Sequence, residues 1–190
     1  MPQPPKRDQI IKAAYDIFKQ NSFFSVSMDE LIDASNVSRR TMYNHFASKN
    51  QLIKAVMEHY QADYLLSVQV MFKKNKAKSA YDKLKLLLQH SLIWYRDKLF
   101  HGCMAMHALA EFSGREDGLE IIEACQAFKR WQLSFLEELT TEMTKKNPKR
   151  LAHELFIVME GLTVAVELHQ TCHLADPIVL LDKIIAEHIG

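Results

Sequence analysis

The sequence predicts an all-α fold of about nine helices, in which a short N-terminal domain of three helices precedes a longer helical domain. The 190 residues are 48% hydrophobic and 25% charged, as in an ordinary globular chain. Only 5 of them are Gly and 5 are Pro, so residues that form turns are scarce. Apolar residues also recur three and four positions apart along most of the chain, which is helical spacing. These observations exclude disordered and collagen-like classes.

No membrane or export segment is recognisable in the sequence. No stretch reaches the roughly 18 uncharged apolar residues that span a bilayer, and the first seven residues lack the apolar region of a secretory signal. The 3 cysteines are odd in number and include no Cys-x-x-Cys pair, which argues against a disulfide framework or a zinc ribbon. We therefore expect a cytoplasmic protein that does not contact a membrane.

Positive charge is concentrated near the N-terminus. The formal net charge is only +1, yet residues 1–60 hold eight Lys or Arg against six Asp or Glu. Between Ala34 and Met57 the chain has four cations and no carboxylate. These cations are Arg39, Arg40, Lys49 and Lys54. Because the distribution of charge matters more than its sum, this segment is a candidate surface for an anionic partner.

Two helices and a tight turn are predicted in the first 36 residues. Helical spacing of apolar residues predicts an amphipathic helix over residues 8–20. Ser27 and Glu30 then have the spacing of a capping box, so a short helix begins at Met28. The apolar periodicity breaks at Asn36, a residue type that tolerates the left-handed conformation, and the chain turns there.

A second short helix follows the turn and presents a polar face. Ser38 can cap it, and Met42 and Phe46 share its apolar side. The side chains left exposed are Arg39, Arg40, Thr41, Tyr43, Asn44 and His45. A major groove about 12 Å wide admits one helix, and Arg and Asn can each bond a base edge with two hydrogen bonds. This arrangement of helix, turn and helix is therefore suited to contact duplex DNA.

The next helix starts with a second potential capping box, formed by Ser48 and Gln51. It places Lys49 in the first turn, beside backbone amides that can face a phosphate. We therefore add Lys49 to the predicted DNA-binding residues.

The run Ser27-Met-Asp-Glu-Leu-Ile-Asp-Ala-Ser-Asn-Val-Ser-Arg-Arg-Thr-Met-Tyr-Asn-His-Phe-Ala-Ser-Lys-Asn-Gln-Leu52 resembles the DNA-binding signature of the tetracycline-repressor (TetR) family. The resemblance implies a helix-turn-helix DNA-binding domain over residues 1–50. A fourth helix, about residues 49–73, would connect it to a helical regulatory and dimerisation domain over residues 51–190. It also implies a homodimer that binds double-stranded DNA and a small-molecule inducer.

The resemblance also assigns roles to single residues. The positions where the family usually contacts phosphates or bases are Ser38, Thr41, Tyr43, His45 and Lys49. The positions that vary with operator sequence are Arg39, Arg40 and Asn44. Three residues depart from the family pattern: Asn36 replaces the usual turn glycine, Ser35 replaces the preceding alanine, and Asp29 stands where some members place a DNA-contacting cation. A DNA contact by Asp29 is therefore not expected.

Further helices are predicted over the rest of the chain. Their predicted ranges are 49–73, 78–98, 103–113, 117–145, 149–172 and 177–189. Asn147 before Pro148, and Asp176 before Pro177, each place a capping residue ahead of a proline in the first helical turn.

The last two predicted helices are apolar on more than one side. The apolar residues of the first are Leu151, Leu155, Phe156, Val158, Met159, Leu162, Val166 and Leu168, and those of the second are Ile178, Val179, Leu180, Leu181, Ile184, Ile185 and Ile189. One face can pack on the core of its own chain and the other on a second copy, so we expect a twofold four-helix dimer interface. A fully buried hairpin in a monomer is the alternative. A dimer would present two recognition helices to a near-palindromic operator.

The middle of the chain is rich in large apolar residues with a few polar groups between them. The candidate ligand-binding residues are Trp94, Met104, His107, Glu111, Phe128, Trp131, Phe135, Met159, Glu160 and Thr163. Most apolar residues of this kind belong to a core, but together they can line a pocket for a small apolar or amphipathic ligand. Binding that favours one arrangement of the two DNA-binding domains changes operator affinity, and the family resemblance implies release of DNA by a repressor.

Cys103 is a candidate redox or electrophile sensor. It follows Gly102 at a predicted helix start and lies near His101 and His107, and such surroundings can lower a thiol pKa. A buried free cysteine is the plain alternative. Two ladders of metal-ligand types, His169, Cys172, His173 and Cys103, His107, Glu111, raise a metal-responsive alternative, although we expect no resident metal or cofactor.

Two other classes remain open from the residues alone. An enzyme is disfavoured, because the sequence has no Gly-rich phosphate loop, nucleophile elbow, His-Glu-x-x-His or paired Cys-x-x-Cys motif. A helical protein-interaction adaptor would use the same amphipathic helices without needing the basic face between Ser38 and Lys49.

Overall fold

The computed structural model describes residues 5–95, 102–168 and 177–189, and within them all side chains except those of 92–95, 177 and 189. These residues form nine α-helices and a short 3-10 helix, with no strand. The helices are α1 (Lys6–Phe18), α2 (Met28–Ser35), α3 (Arg39–His45), α4 (Lys49–Asn75), α5 (Ala80–Tyr95), α6 (Met104–Phe112), α7 (Leu119–Met143), α8 (Pro148–Glu167) and α9 (Pro177–Ile189), with the 3-10 helix at Glu116–Gly118. The predicted all-α fold is confirmed. None of the helices described combines the length and hydropathy that crossing a membrane requires.

The helix boundaries follow the predicted ones closely. The predicted helix over residues 117–145 begins as the 3-10 turn before α7, which starts at Leu119. The predicted helix over residues 149–172 ends at Glu167 in α8, and residues 169–172 lie outside the described part of the chain. Residues 96–98 of the predicted helix over 78–98 lie outside it as well.

The local signals around α2 and α3 act as the sequence predicts. The Ser27 hydroxyl accepts from the Glu30 amide, and the Glu30 carboxylate accepts from the Ser27 amide at 2.6 Å, which completes the capping box. Asn36 ends α2 in the left-handed conformation, with φ 49°. Ser38 caps α3 by accepting from the Thr41 amide at 3.0 Å. A tight turn therefore fixes the angle between α2 and α3.

The predicted side-chain cap at Asn147 is wrong. Asn147 has a left-handed backbone, with φ 52°, and its side chain makes no capping hydrogen bond to α8. An N-cap side chain reaches the amide of the second or third helical residue from an extended backbone, and the left-handed backbone of Asn147 does not have that conformation. Asp176, the other predicted cap, lies outside the described residues.

The chain divides into two compact units by its internal packing. The first unit comprises Met1–Tyr64 and Cys103–Phe128, and the second comprises Leu65–Gly102 and Lys129–Gly190. The first unit therefore contains α6 and the start of α7 as well as the three N-terminal helices. The predicted boundary at residue 50, between a DNA-binding and a regulatory domain, stays a prediction. It is based on sequence motifs, whereas the two units are defined by packing.

The core of the first unit joins the N-terminal helices to α6 and α7. Its largest fully buried side chains include Phe23, Leu31, Met42, Phe112 and Phe128, from five different parts of this unit. Contacts between aromatic rings connect several of them. The centre of the Phe23 ring lies 4.9 Å from that of Phe18 and 6.1 Å from that of Phe112. The aromatic contacts of this core therefore extend from the end of α1, through the loop that follows it, to the end of α6.

The second unit packs α5, α8 and α9 together with parts of α4 and α7. Leu84, Leu139, Leu151 and Leu155 are among its buried residues. His188 of α9 is 8% exposed, and its Nε2 lies 2.8 Å from a carboxylate oxygen of Glu154 in α8. A hydrogen bond of 2.6 Å from the Tyr81 hydroxyl to Asp182 joins α5 to α9. One part-buried and one exposed polar contact thus supplement an apolar helical core.

Candidate nucleic-acid interface

The packing of α3 determines which of its faces is free. Met42 is fully buried and Phe46, just after the helix, is 3% exposed. Because these two residues lie four positions apart, they anchor one side of the helix in the core of the first unit. The other side of α3 must then face solvent.

The predicted DNA-binding residues lie mostly on that free side. The exposed ones are Ser38, Arg39, Arg40, Tyr43, Asn44 and His45. Thr41 and Lys49 are half-buried. Tyr43 is 43% exposed, which is unusual for an aromatic residue next to a core. The structure therefore brings six of the eight predicted residues onto one accessible surface, which we call the α3 face.

The two hydroxyl groups at the start of α3 bond each other. The oxygen atoms of Ser38 and Thr41 are 2.8 Å apart, and the Ser38 oxygen also accepts from the Thr41 amide. Each hydroxyl has one proton, so the hydroxyl that donates in this pair has none left for a phosphate, whereas the other can still donate to one. The capping interaction therefore leaves one of the two hydroxyl donors available.

Lys49 is held by the protein itself. Its ammonium group donates to the backbone carbonyl of Val26, and its side chain is half-buried. Partial burial lowers the pKa of Lys49, and the negative charges of Glu111 and Glu30 oppose this shift. The amide groups at the start of α4 remain beside it, so a phosphate contact by Lys49 stays a prediction.

The second predicted capping box is only half formed. The Gln51 amide lies 3.3 Å from the Ser48 hydroxyl oxygen, as a cap requires. The Gln51 side-chain oxygen, however, accepts from the Ala47 amide at 3.0 Å and not from the Ser48 amide. The predicted reciprocal hydrogen bond from the Ser48 amide is therefore wrong, because the Gln51 side chain extends one residue further and accepts from the Ala47 amide.

Two charged residues near the α3 face were not assigned to it from the sequence. Arg7 in α1 places its guanidinium 5.3 Å from the centre of the Phe46 ring, which brings another cation beside the end of α3. Asp29 in α2 accepts a hydrogen bond from the Arg39 guanidinium. In the sequence, the adjacent cations Lys6 and Arg7 could have indicated the role of Arg7. The departure from the family pattern at position 29 could have indicated that of Asp29.

Glu111 binds the loop between α1 and α2. Its carboxylate accepts from the Ser22 hydroxyl at 2.8 Å and from the amides of Phe23 and Phe24, both at 3.1 Å. Nearby, the Arg115 guanidinium lies 4.7 Å from the centre of the Phe24 ring. The sequence predicted Glu111 as a ligand-binding residue. Both of its oxygens accept hydrogen bonds from the loop, and a ligand contact by Glu111 stays a prediction.

The other predicted ligand-binding residues are distributed over both units. Met104, His107 and Phe128 belong to the first unit, where Phe128 is buried and its ring lies 5.4 Å from those of Tyr60 and Tyr64. Trp131, Phe135, Met159, Glu160 and Thr163 belong to the second unit. The side chain of Trp94 lies outside the described part of the structure.

Within the second unit, α7 carries both aromatic and polar side chains of the predicted ligand-binding region. The rings of Trp131 and Phe135 stack at 5.4 Å with an angle of 11° between their planes. Lys129 donates to both carboxylate oxygens of Glu160 at 2.8 Å, and the two side chains are 14% and 28% exposed. The side-chain oxygen of Gln132 is buried and has no hydrogen-bond partner among the described residues. A set of apolar surfaces with a few polar groups is what a pocket for an amphipathic ligand requires.

A separate open groove of about 550 Å³ lies in the second unit. Its lining residues are Lys78, Ser79, Ala80, Tyr81, Glu142, Met143 and Ile185. None of them is among the predicted ligand-binding residues.

Cys103 stands directly before α6 and is 5% exposed. The hydroxyl oxygen of Tyr60 lies 3.8 Å from its sulfur, and burial raises the pKa of Tyr60 well above its ordinary value. Low exposure favours the packing interpretation of Cys103 over the redox interpretation. In the part of the chain that is described, no three His, Cys, Asp or Glu side chains lie together as a metal-binding group, and this includes Cys103, His107 and Glu111. His101, His169, Cys172 and His173 lie outside the described residues.

The fold and the α3 face define a helix-turn-helix protein of the all-α class. Residues 10–56, which include the helix-turn-helix part of the chain, match the family of bacterial regulatory proteins described as the tetR family. Its N-terminal part resembles regulators and not enzymes among known proteins: the chain is 42% identical over 53 residues to the HTH-type transcriptional regulator UidR of Escherichia coli strain K12. That alignment covers 28% of this chain and 27% of UidR, and the first curated relatives are matched over less than a third of their own length.

Solved structures match over nearly the whole chain, at low sequence identity. The crystal structure of SCO4454, a TetR-family transcriptional regulator from Streptomyces coelicolor, has a TM-score of 0.80 and is 20% identical, with 97% of this chain and 96% of that chain covered. The TetR-family regulator CifR, a cysteine mutant complexed with 26-base-pair operator DNA, has a TM-score of 0.71 and is 19% identical, with 100% of this chain and 98% of that chain covered. At this level of identity the match concerns the fold.

Proposed function

We propose that this protein is a sequence-specific DNA-binding transcriptional regulator whose recognition helix is α3. The observation that carries the proposal is the division of α3 into two faces. Met42 and the adjoining Phe46 are buried, whereas Arg39, Arg40 and Tyr43 are exposed together. A helix held in this way can enter a major groove and offer hydrogen bonds to base edges and phosphates. The operator complex of CifR, a protein of the same fold, supports DNA as the partner.

We further propose that the active form is a homodimer joined through α8 and α9. These helices expose large apolar side chains although each also has a buried face. The exposed ones are Ile157, Val164, Leu168, Val179 and Leu180, with Ile157 68% exposed. Covering them with the same helices of a second copy would form a four-helix interface and would place two copies of α3 on a near-palindromic operator.

Regulation by a small apolar or amphipathic molecule is the third part of the proposal. The aromatic stack of Trp131 and Phe135, together with the polar pair of Lys129 and Glu160, supports a binding region in the second unit. A ligand that prefers one conformation of the dimer would change operator affinity by its differential binding. We propose release of the operator, and so repression in the absence of ligand, in the cytoplasm where the DNA is.

The test is salt-dependent binding to operator fragments selected from genomic DNA. We expect tight binding to a near-palindrome, with an affinity that falls steeply as salt rises, because cations on the protein replace counterions of the phosphates. Arg39→Ala should weaken binding by on the order of tenfold or more, and Tyr43→Phe should weaken it less. Lys145→Ala, a cation in the second unit, is the matched control and should leave the affinity unchanged. Weak binding without sequence preference or salt dependence would favour the adaptor alternative.

A further inference from the structure

The ion pair between Asp29 and Arg39 lies on the surface that is proposed to meet DNA. Asp29 is the second residue of α2 and Arg39 is the first residue of α3. A terminal nitrogen of the Arg39 guanidinium donates to one carboxylate oxygen of Asp29. The side chain of Asp29 is 65% exposed and that of Arg39 is 63% exposed. Neither residue is needed to fill the core, so the pair is a feature of the surface and not of the packing.

A carboxylate is an unexpected group at such a surface. Each phosphate of the duplex repels it, whatever the base sequence, so Asp29 lowers affinity for all DNA alike. The neighbouring Arg40 is also exposed, and among the described residues it has no ion pair. The two adjacent arginines therefore differ in one respect: Arg39 has a fixed carboxylate partner and Arg40 does not.

The carboxylate partner restricts what Arg39 can do. An arginine has five N–H donors, and the bond to Asp29 engages one of its terminal nitrogens. The other donors remain available for a guanine edge, which takes two. A guanidinium tied to α2 in this way samples fewer positions, and a free guanidinium would move to the nearest phosphate, since the phosphate contact does not depend on sequence.

We propose that Asp29 is a specificity-determining residue, which holds Arg39 for a base edge and lowers affinity for non-operator DNA. Specificity is a difference of two affinities, and Asp29 acts on both of them. Arg40, which lacks such a partner, contributes phosphate binding. This inference rests on the proposed function, because it concerns the same DNA-binding surface.

The experiment compares wild type with single and double variants in two measurements. The first measurement is selection of bound sequences from a randomised duplex library, and the second is the ratio of operator affinity to random-duplex affinity at fixed salt. Asp29→Asn removes the charge and keeps an acceptor oxygen, whereas Asp29→Ala removes both. Asp33→Asn is the matched control, an exposed carboxylate one turn further along the same helix. Arg39→Ala removes the other member of the pair.

Asp29→Ala should bind random duplex more tightly and should lower the affinity ratio by about two- to fivefold, the size of effect that one exposed ion pair supports. It should also relax the selected sequence at the base pair read by Arg39. Asp29→Asn should raise random-duplex affinity with less relaxation, and Asp33→Asn should leave the selected sequence unchanged. The variant Asp29→Ala with Arg39→Ala should select the same sequence as Arg39→Ala alone, because the two residues act as one.

The outcomes separate this inference from the function on which it rests. If wild type selects an operator and Asp29→Ala selects it with the same base preferences and the same affinity ratio, Asp29 has no role in specificity. If Asp33→Asn relaxes the selected sequence as much as Asp29→Ala does, general charge and not the pair is responsible, which also overturns the inference. If wild type selects no sequence at all, the proposed function fails and the inference fails with it.

Discussion

Glu111 in α6 accepts a 2.8 Å hydrogen bond from the hydroxyl of Ser22, in the loop between α1 and α2. The same carboxylate accepts from the amides of Phe23 and Phe24, so one side chain holds three donors of a single loop. Elsewhere in the same unit, the Asn50 side chain donates to the carbonyl of Asp117 at 2.7 Å. Residues that follow α5 in the chain therefore hold two points of the first unit, the loop between α1 and α2 and the start of α4. The position of α2 and α3 in the first unit depends on α6 as well as on the local turns.

Glu111→Ala should loosen the loop between α1 and α2 and weaken operator binding. The amides of Phe23 and Phe24 would lose the acceptor that they share, and α2 and α3 would be less well positioned although no DNA-contacting group has changed. We expect faster hydrogen exchange at these two amides and a several-fold loss of operator affinity. Exchange measured by NMR, together with binding to the selected operator, checks both effects.

The control for this prediction is Glu116→Gln, an exposed carboxylate in the 3-10 helix of the same unit. It should change neither the exchange rates nor the affinity. Ser22→Ala, which removes one of the three donors and keeps both amide bonds, should have a smaller effect than Glu111→Ala. Unchanged exchange at Phe23 and Phe24 in Glu111→Ala would show that the carboxylate does not hold the loop in solution.

The capping box at the start of α2 should make stability depend on pH. Hydrogen bonds from Ser27 to the Glu30 carboxylate lower the pKa of Glu30 below its ordinary value of 4.5. A carboxyl group whose pKa is lower in the folded state stabilises the fold above the unfolded pKa, and this contribution is lost as pH falls through the folded pKa. Wild type should therefore be more stable than Glu30→Gln at pH 7, and the difference should shrink below about pH 4.5.

Thermal unfolding of both proteins between about pH 3 and pH 7 measures this difference. Ser27→Ala, which removes the cap, should lower the free energy of unfolding by about 0.5–2 kcal/mol. In the Ser27→Ala background the amide of residue 27 can still donate to the Glu30 carboxylate, so Glu30→Gln should keep a pH-dependent effect that is smaller than in wild type. A constant difference between wild type and Glu30→Gln across the pH range would mean that the box does not form.

The capping box and the turn show what the sequence alone could predict. Ser27 and Glu30 are three residues apart, and Asn36 acts through its own backbone, so the chemistry is complete within a few residues. The contacts of Glu111 and Ser22 involve residues 89 positions apart. Periodicity shows which face of α6 is buried, but it does not show which loop lies opposite. The sequence therefore predicted the helices and the α3 face, and it missed the acceptor that holds the loop.

Lys49 illustrates the same limit at shorter range. Its place in the first turn of α4 was predicted, and a phosphate contact was inferred from that place. The carbonyl of Val26, 23 residues earlier, takes a donor of its ammonium group because the turn before α2 comes close to α4. A position on a helix was predictable, but the partner of a long flexible side chain depends on tertiary packing.

Met42 and Tyr43 are neighbours in α3, but their substitutions should change different properties. Met42→Ala should lower stability, and Tyr43→Phe should weaken operator binding. Met42 is fully buried, so Met42→Ala should lower the free energy of unfolding by about 2–5 kcal/mol, because apolar side-chain atoms are removed from the core and a cavity remains. Tyr43 is 43% exposed, so Tyr43→Phe should change it by less than about 0.5 kcal/mol and should weaken operator binding. Urea unfolding and operator titration on each variant measure the two effects. A destabilised Tyr43→Phe with normal operator affinity would contradict the orientation of α3.

Ile157 in α8 is the most exposed of the large apolar residues on the proposed dimer surface, and Ile157→Glu should prevent dimer formation. Its side chain is 68% exposed, so a carboxylate is well solvated there in a single copy and the fold should be retained. In a four-helix interface the same carboxylate would be buried without a partner, which costs more free energy than the isoleucine side chain contributes there. Leu66→Glu is the matched control, because Leu66 in α4 is 58% exposed in the same unit but lies outside α8 and α9. Sedimentation velocity should show a dimer for wild type and Leu66→Glu and a monomer for Ile157→Glu, with the monomer binding the palindromic operator more weakly. A dimeric Ile157→Glu would exclude this face of α8 from the interface.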